Sequence, residues 1–230
     1  MRSGEAAGVA LLASALLAGG GDLSSAEGPP HEPGPFRAAD LVELGRLDPG
    51  LRLDVRYATA NNFVGRPVYS EARAFLQRPA ADALLRALAA LRPKGYGVLV
   101  FDGYRPWAVT KLFWDSVTPE NRAFVADPAK GSKHNRGCAV DLSLWSLATG
   151  REAEMPSAYD EMSERAHPDY AGGTTASRET RDLLRAAMEA EGFAVESNEW
   201  WHFNYKDWPH YPILDVPFVA IAGATASPSR

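Results

Sequence analysis

The sequence predicts one domain that mixes helices with strands, on the strength of chain length and two kinds of periodicity. At 230 residues the chain suits a single domain with one substantial core. Leu51, Leu53 and Val55 alternate with Arg52, Asp54 and Arg56, the period of a half-buried strand. Leu84, Leu85, Leu88 and Leu91 recur instead at the spacing of one helix face. Apolar residues make up 46% and charged residues 23%, the balance of a soluble domain. A net charge of −5 gives no reason to expect a nucleic-acid or anionic-membrane partner. The single cysteine, Cys138, excludes an internal disulfide framework and a multi-cysteine metal site.

Taken in order, residues 1–26 read as a signal peptide. Arg2 precedes an apolar run from Ala6 to Gly20, too short to span a bilayer comfortably, and Ser24-Ser25-Ala26 offers small residues for cleavage. This predicts export to the periplasm or outside the cell, with no stable membrane insertion after processing. A mere N-terminal extension and a cytoplasmic location are the alternative. Residues 27–35 form a Pro/Gly-rich linker in which His31 is solvated. The domain spans 36–218, and 219–230 reads as a disordered tail. Pro79 opens a helix that runs to about Leu91, where Pro93 and Gly95 stop it.

Val98 to Phe101 is a short apolar strand leading into Asp102-Gly103-Tyr104-Arg105-Pro106, a turn before a helix that carries Trp107, Leu112 and Phe113. Two readings of Arg105 stand. A guanidinium at the end of a buried strand can stabilise an oxyanion in a cleft, or it can make an ordinary surface ion pair. Val140, Leu142 and Leu144 then alternate with Asp141, Ser143 and Trp145, predicting another strand. Residues 155–170 predict a loop over a cleft, since a long ordered loop is uncommon unless functional. Ser177 is a candidate N-cap for a helix to Glu191, stopped by Gly192, and Phe193 to Val195 begins a strand.

The chemistry concentrates in two stretches. Ser132-Lys133-His134-Asn135-Arg136-Gly137-Cys138-Ala139-Val140-Asp141 supplies an imidazole and a carboxylate, with Gly137 able to bend the chain between them. Glu199-Trp200-Trp201-His202 supplies a second imidazole and a second carboxylate. His134, Asp141 and His202 make a three-ligand zinc set with an open position, the pattern of catalytic rather than structural sites. Glu199 is left as a general base for a water activated at the metal. In a regular strand Glu199 and His202 would face opposite ways, so a turn or a bulge must intervene. Taken alone, Trp200-Trp201-His202 could equally be an aromatic edge with an incidental histidine. Cys138 reads as a thiolate ligand or as a small buried residue.

Together, Ser132-x-His134-x-x-Gly137-x-Ala139-x-Asp141 and Glu199-x-Trp201-His202 resemble the zinc D-Ala-D-Ala dipeptidases, the group that includes the vancomycin-resistance enzymes. Asp54-Val55-Arg56-Tyr57, Asp102-Gly103-Tyr104-Arg105-Pro106 and Tyr159-Asp160-x-Met162-x-Glu164-Arg165-x-His167 extend the resemblance over most of the domain. It implies a small α+β domain, helices packed on a mainly antiparallel sheet, with one zinc ion held by His134, Asp141 and His202. It further implies Glu199 as general base and proton shuttle, Arg105 at the transition state, Asp160 at the substrate ammonium and Ser132 on the bound dipeptide. The partner would be a small-molecule substrate, D-Ala-D-Ala or a related cell-wall peptide. Cys138 stands where a small, often hydroxylated residue is expected. A D,D-carboxypeptidase or peptidoglycan endopeptidase of the same superfamily, and a non-catalytic zinc module that binds cell-wall peptides, are the alternatives.

Overall fold

A computed structural model describes residues 28–221. The expectations for residues 1–26 and for most of the tail lie outside the described residues. Among the described residues seven strands and four α-helices follow one another: β1 (Leu41–Glu43), β2 (Leu51–Leu53), β3 (Phe75–Gln77), α1 (Arg78–Leu91), β4 (Tyr96–Asp102), α2 (Trp107–Ser116), β5 (Ala139–Ser146), α3 (Thr175–Ala190), β6 (Phe193–Glu196), β7 (Glu199–Tyr205) and α4 (Phe218–Ile221). The main sheet has the order β2-β4-β5-β7-β6 and is antiparallel except for the β2–β4 pair. A second, two-stranded sheet pairs β1 with β3. The α+β class with a mainly antiparallel sheet is therefore what the chain adopts.

The apolar periodicities do what their spacing dictates. In α1, Leu84, Leu88 and Leu91 are buried, and Pro79 sits in its first turn, where a missing N–H costs nothing. Both α1 and α3 pack on the sheet and on each other. Leu84 and Leu88 share one core with Leu184 and Met188 of α3 and with Val98, Leu142 and Leu144 of the strands. Since strand side chains alternate, Asp141 and Ser143 point to the other face of the sheet from Leu142 and Leu144. That second face carries the polar site.

Two register breaks then decide which residues share that face. Between β4 and β5, Val100 pairs with Leu142 but Asp102 pairs with Asp141, so Phe101 is an extra residue in the ladder. A one-residue slip turns side chains over; without it Asp102 would lie opposite Val140, away from Asp141. Between β6 and β7, Val195 pairs with Phe203 but Glu196 pairs with Glu199, so Trp200, Trp201 and His202 bow out of that ladder. On its other side β7 stays in step, with His202 directly opposite Asp141.

Three expectations change. The N-cap of α3 is Thr174, whose hydroxyl accepts the Ser177 N–H, and Ser177 lies inside the helix. The linker is not detached: Glu32 bonds the buried Arg136 guanidinium and accepts the Ile213 N–H at 3.1 Å, while His31 is exposed as expected. The expected tail begins in the α4 turn, where Phe218 is buried against Tyr69 and Phe75.

Candidate metal centre and cleft

The first short stretch folds into a turn, His134–Arg136, closed by Gly137 at φ +67°. That left-handed conformation suits glycine, and a Cβ there would also lie 2.5 Å from Leu41 Cδ2. The turn delivers His134 to the edge of the row formed by Asp141 and His202. His134 Nε2 is 3.3 Å and His202 Nδ1 3.0 Å from Asp141 Oδ1, and the two nitrogens are 3.1 Å apart. All three side chains are buried.

The outward nitrogens of both rings are already engaged. His134 Nδ1 lies 2.7 Å from the Gly103 carbonyl, which can only accept, so this nitrogen carries the proton. His202 Nε2 lies 2.8 Å from Asn204 Oδ1, while the Asn204 amide nitrogen donates to Glu196, so this nitrogen donates too. In neutral rings the inward Nε2 and Nδ1 are then both lone pairs, facing each other and a carboxylate oxygen. Asp141 Oδ1 is buried and accepts no hydrogen bond. Three converging acceptors with no proton among them suit a cation, and carbonyl or amide partners behind imidazole ligands are the usual means of aiming them. Two imidazoles and one carboxylate match zinc in ligand type and number, with a position left for water or substrate.

The electrostatics agree. Burial opposes charge on His202, but hydrogen bonding to Asp141 and the nearby Asp141 and Glu199 carboxylates outweigh it and lift this imidazole to about 9. The surrounding carboxylates thus favour positive charge between these groups. Burial lifts the Glu199 carboxyl to about 8, with Asp141 and Asp160 pushing the same way against His202. Glu199 Oε2 stands 3.5 Å from His202 Nδ1, close to the trio without belonging to it. The register break between β6 and β7 supplies the bulge that this placement requires.

Arg105 is buried, and its Nε and Nη2 donate to Asp102 Oδ2 at 3.0 and 2.8 Å. Nη2 is also 3.7 Å from Asp141 Oδ2. The surface ion-pair reading of Arg105 is thus replaced by a buried one. Burial works against its charge, yet Asp102 above all keeps the guanidinium protonated. Asp102 also accepts the Tyr69 hydroxyl and the Gly103 N–H through Oδ1.

The 155–170 loop brings Asp160 to the cleft with φ +61°, a conformation rare for a residue with a Cβ. Its Oδ1 accepts the Tyr57 hydroxyl at 3.0 Å, while Oδ2 is buried without a partner. Burial, with Asp141 adding repulsion, pushes this carboxyl up to about 7. Tyr159 donates to Asp141 Oδ2 at 3.0 Å, so consecutive residues of the loop serve the two ends of the site. Ser132 Oγ accepts the His134 N–H at 3.1 Å and keeps its own proton to donate.

All seven residues singled out in the sequence, Arg105, Ser132, His134, Asp141, Asp160, Glu199 and His202, line one cleft of about 510 Å³. Cys138 is not among them: it is fully buried in the core, and burial pushes its thiol up to about 12, so it stays an uncharged apolar side chain. Sequence reasoning missed Asp102, Tyr57 and Asn204 as partners of the site. For Asp102 a signal existed, a carboxylate three residues before Arg105 at the end of the same strand.

The family model described as D-Ala-D-Ala dipeptidase, of peptidase family M15, matches residues 37–219. The D-alanyl-D-alanine dipeptidase of Escherichia coli K12 is 34% identical over 179 residues, which cover 78% of this chain and 91% of the relative. That of Enterococcus faecium is 36% identical over 188 residues, covering 73% and 92%. A solved vancomycin-resistance D,D-dipeptidase in complex with a D-Ala-D-Ala phosphinate analogue is 22% identical over 63% of this chain and 54% of its own, with a TM-score of 0.38. On the family match and the two sequence relatives, the chain belongs to the D-Ala-D-Ala dipeptidase family of zinc metallopeptidases.

Proposed function

We propose that this protein hydrolyses D-Ala-D-Ala to two molecules of D-alanine. The observation that carries the reading is the buried, half-satisfied carboxylate of Asp160 in the same cleft as the His134–Asp141–His202 trio. A peptide amine is cationic, and a carboxylate aimed at the reacting centre from one side favours a substrate whose amino group is free and one residue away from the cleaved bond. Carboxypeptidases and endopeptidases acting on longer peptides need no such acid. The two dipeptidase relatives fit the same substrate.

Zinc held by His134, Asp141 and His202 would supply Lewis acidity at the scissile carbonyl and lower the pKa of water at its open position towards about 7. Glu199 accepts a proton from the attacking water and returns it to the departing amine, which leaves as the second D-alanine. A carboxyl lifted by burial is suited to both halves of that transfer. Arg105, held by Asp102, donates to the oxygen on which negative charge develops. Tyr57 and the unusual backbone at Asp160 hold the amine-binding carboxylate in place, and Ser132 donates its hydroxyl proton to the bound dipeptide.

The N-terminal reading adds export and cleavage before Glu27 to this proposal, checked by determining the N-terminus of protein recovered from the native host. The activity is tested by free D-alanine release from D-Ala-D-Ala, L-Ala-L-Ala and a pentapeptide ending in D-Ala-D-Ala. The proposal expects cleavage of the first alone. Release of only the terminal residue from the pentapeptide would assign a carboxypeptidase instead, and binding without cleavage would assign a recognition module.

A further inference from the structure

Three aspartates at the site each accept a tyrosine hydroxyl: Asp102 from Tyr69 at 2.9 Å, Asp160 from Tyr57 at 3.0 Å and Asp141 from Tyr159 at 3.0 Å. Tyr69 and Tyr57 serve residues outside the metal trio, whereas Tyr159 acts on a member of it. Its bond goes to Asp141 Oδ2, while Oδ1 is the oxygen that lies 3.3 and 3.0 Å from the His134 and His202 nitrogens. Arg105 Nη2 also approaches Oδ2, but at 3.7 Å it is beyond hydrogen-bond reach. An ionised carboxylate only accepts, so the phenol is the donor.

The ring that carries this hydroxyl is held independently of the bond. Phe101 packs on it at a tilt, with 4.5 Å between ring centroids, and Trp201 and Tyr57 meet it edge-on at 5.4 and 6.2 Å. Phe101 is the extra residue of the β4–β5 register break. The bulge that turns Asp102 towards Asp141 thus also supplies the surface on which Tyr159 rests. Packed between three rings, the phenol has little freedom to aim its hydroxyl elsewhere. Asp160 and Glu161 line the cleft and Tyr159 does not. The hydroxyl therefore reaches the reaction through Asp141.

We infer that Tyr159 is a positioning residue for the metal: by occupying Asp141 Oδ2 it keeps that carboxylate from turning and presents Oδ1 alone to the space between His134 and His202. A carboxylate held in this way cannot close on a cation with both oxygens, which keeps the fourth position free for water or substrate. Hydrogen bonding to the charged form also lowers a carboxylate's basicity, so Asp141 neutralises less of the cation it faces. None of this depends on which peptide is cleaved.

Tyr159→Phe, which keeps the ring and loses the hydroxyl, is compared with Tyr57→Phe, which removes the same kind of bond from Asp160. On both variants and the native protein, zinc affinity is measured by competition against a chelator, together with the visible absorption of cobalt-loaded protein and kcat and KM for D-Ala-D-Ala. Tyr159→Phe should weaken zinc binding about tenfold, the lower end of the usual loss for a partner behind a metal ligand. Its cobalt absorption should also weaken, because a second carboxylate oxygen raises the number of ligands. At saturating zinc its kcat should fall about tenfold, with KM within about twofold. Tyr57→Phe should leave zinc affinity and the cobalt spectrum as in the native protein. A lower Tm of Tyr159→Phe with unchanged zinc affinity and spectrum would make the hydroxyl a packing contact and overturn the inference. Equal losses of affinity in the two variants would overturn it too, since the Tyr57 hydroxyl bonds Asp160 and not the trio. Both metal readouts stand whatever the substrate; a native protein that releases no D-alanine would count against the dipeptidase reading alone.

Discussion

Asp141 and His202 lie directly opposite one another on neighbouring antiparallel strands, with Asp141 Oδ1 3.0 Å from His202 Nδ1. Cross-strand neighbours are about 4.5–5.5 Å apart at Cβ, so sheet register alone brings these two ligand side chains within reach. His134 is then the only ligand that a turn must deliver. The Asp141–His202 pair is therefore held by the sheet itself, and its chemistry can be perturbed from behind without moving the backbone.

Asn204 gives the first such test. It aims His202 by accepting from Nε2. Asn204→Ala should weaken zinc affinity about 10–100-fold, the usual loss for a partner behind a metal ligand. Competition against a chelator of known affinity measures it, and an unchanged affinity would show that the sheet alone orients the ring.

Removing the metal should also destabilise the fold. The three ligands converge only in the folded chain, so zinc at about 1,000 times its dissociation constant adds roughly 4 kcal/mol. For a domain of this size, each kcal/mol corresponds to about 2–4 °C in Tm. Scanning calorimetry of chelated and zinc-loaded protein should show a lower Tm for the former, and matching curves would mean that the trio does not bind metal tightly.

Arg105 tests charge against geometry. Arg105→Lys keeps a cation but loses the fork that grips Asp102. Its kcat should fall by about 10²-fold with zinc retained, as on removing one oxyanion donor. A change confined to KM would instead make Arg105 a ground-state binding group.

The Asp160 carboxyl, lifted to about 7, makes substrate binding depend on pH. A raised carboxyl pKa means that the charged form exists only above that value, so its attraction for the dipeptide ammonium is lost as pH falls through about 7. The substrate amine, which titrates at about 7.7–8.0, stays mostly protonated below about pH 7. KM should rise with acidification below about pH 7 in the native protein and be high and flat over the same range in Asp160→Asn. Parallel KM profiles in the two proteins would remove Asp160 from the amine site.

The ligand set was legible in the sequence because its residue types are scarce in buried strands. A carboxylate between Val140 and Leu142 has few other reasons to be there, and the histidine beside Trp201 and Phe203 gains its meaning only next to that first motif. What periodicity could not supply was register. Phe101 as an extra residue in β4 turns Asp102 towards Asp141, and the bowed Trp200–His202 segment puts Glu199 beside His202; both depend on which strand pairs with which. Tyr57 was missed because its partner Asp160 is far away in sequence, whereas Asn204, two residues after His202 and on the same face of β7, was within reach of the strand period. The strands Leu41–Glu43 and Phe75–Gln77 have three residues each, too few to establish a period of two. Glu32 looked like linker because its partners, Arg136 and Ile213, are far away in sequence.

The central claim is that the trio holds zinc while Glu199 moves the proton, and one paired measurement tests it most directly. Zinc content and D-alanine release from D-Ala-D-Ala are determined on native protein and on Glu199→Ala. One zinc per chain is expected in both, with turnover in the native protein alone. Undiminished turnover in the zinc-loaded Glu199→Ala protein would contradict it.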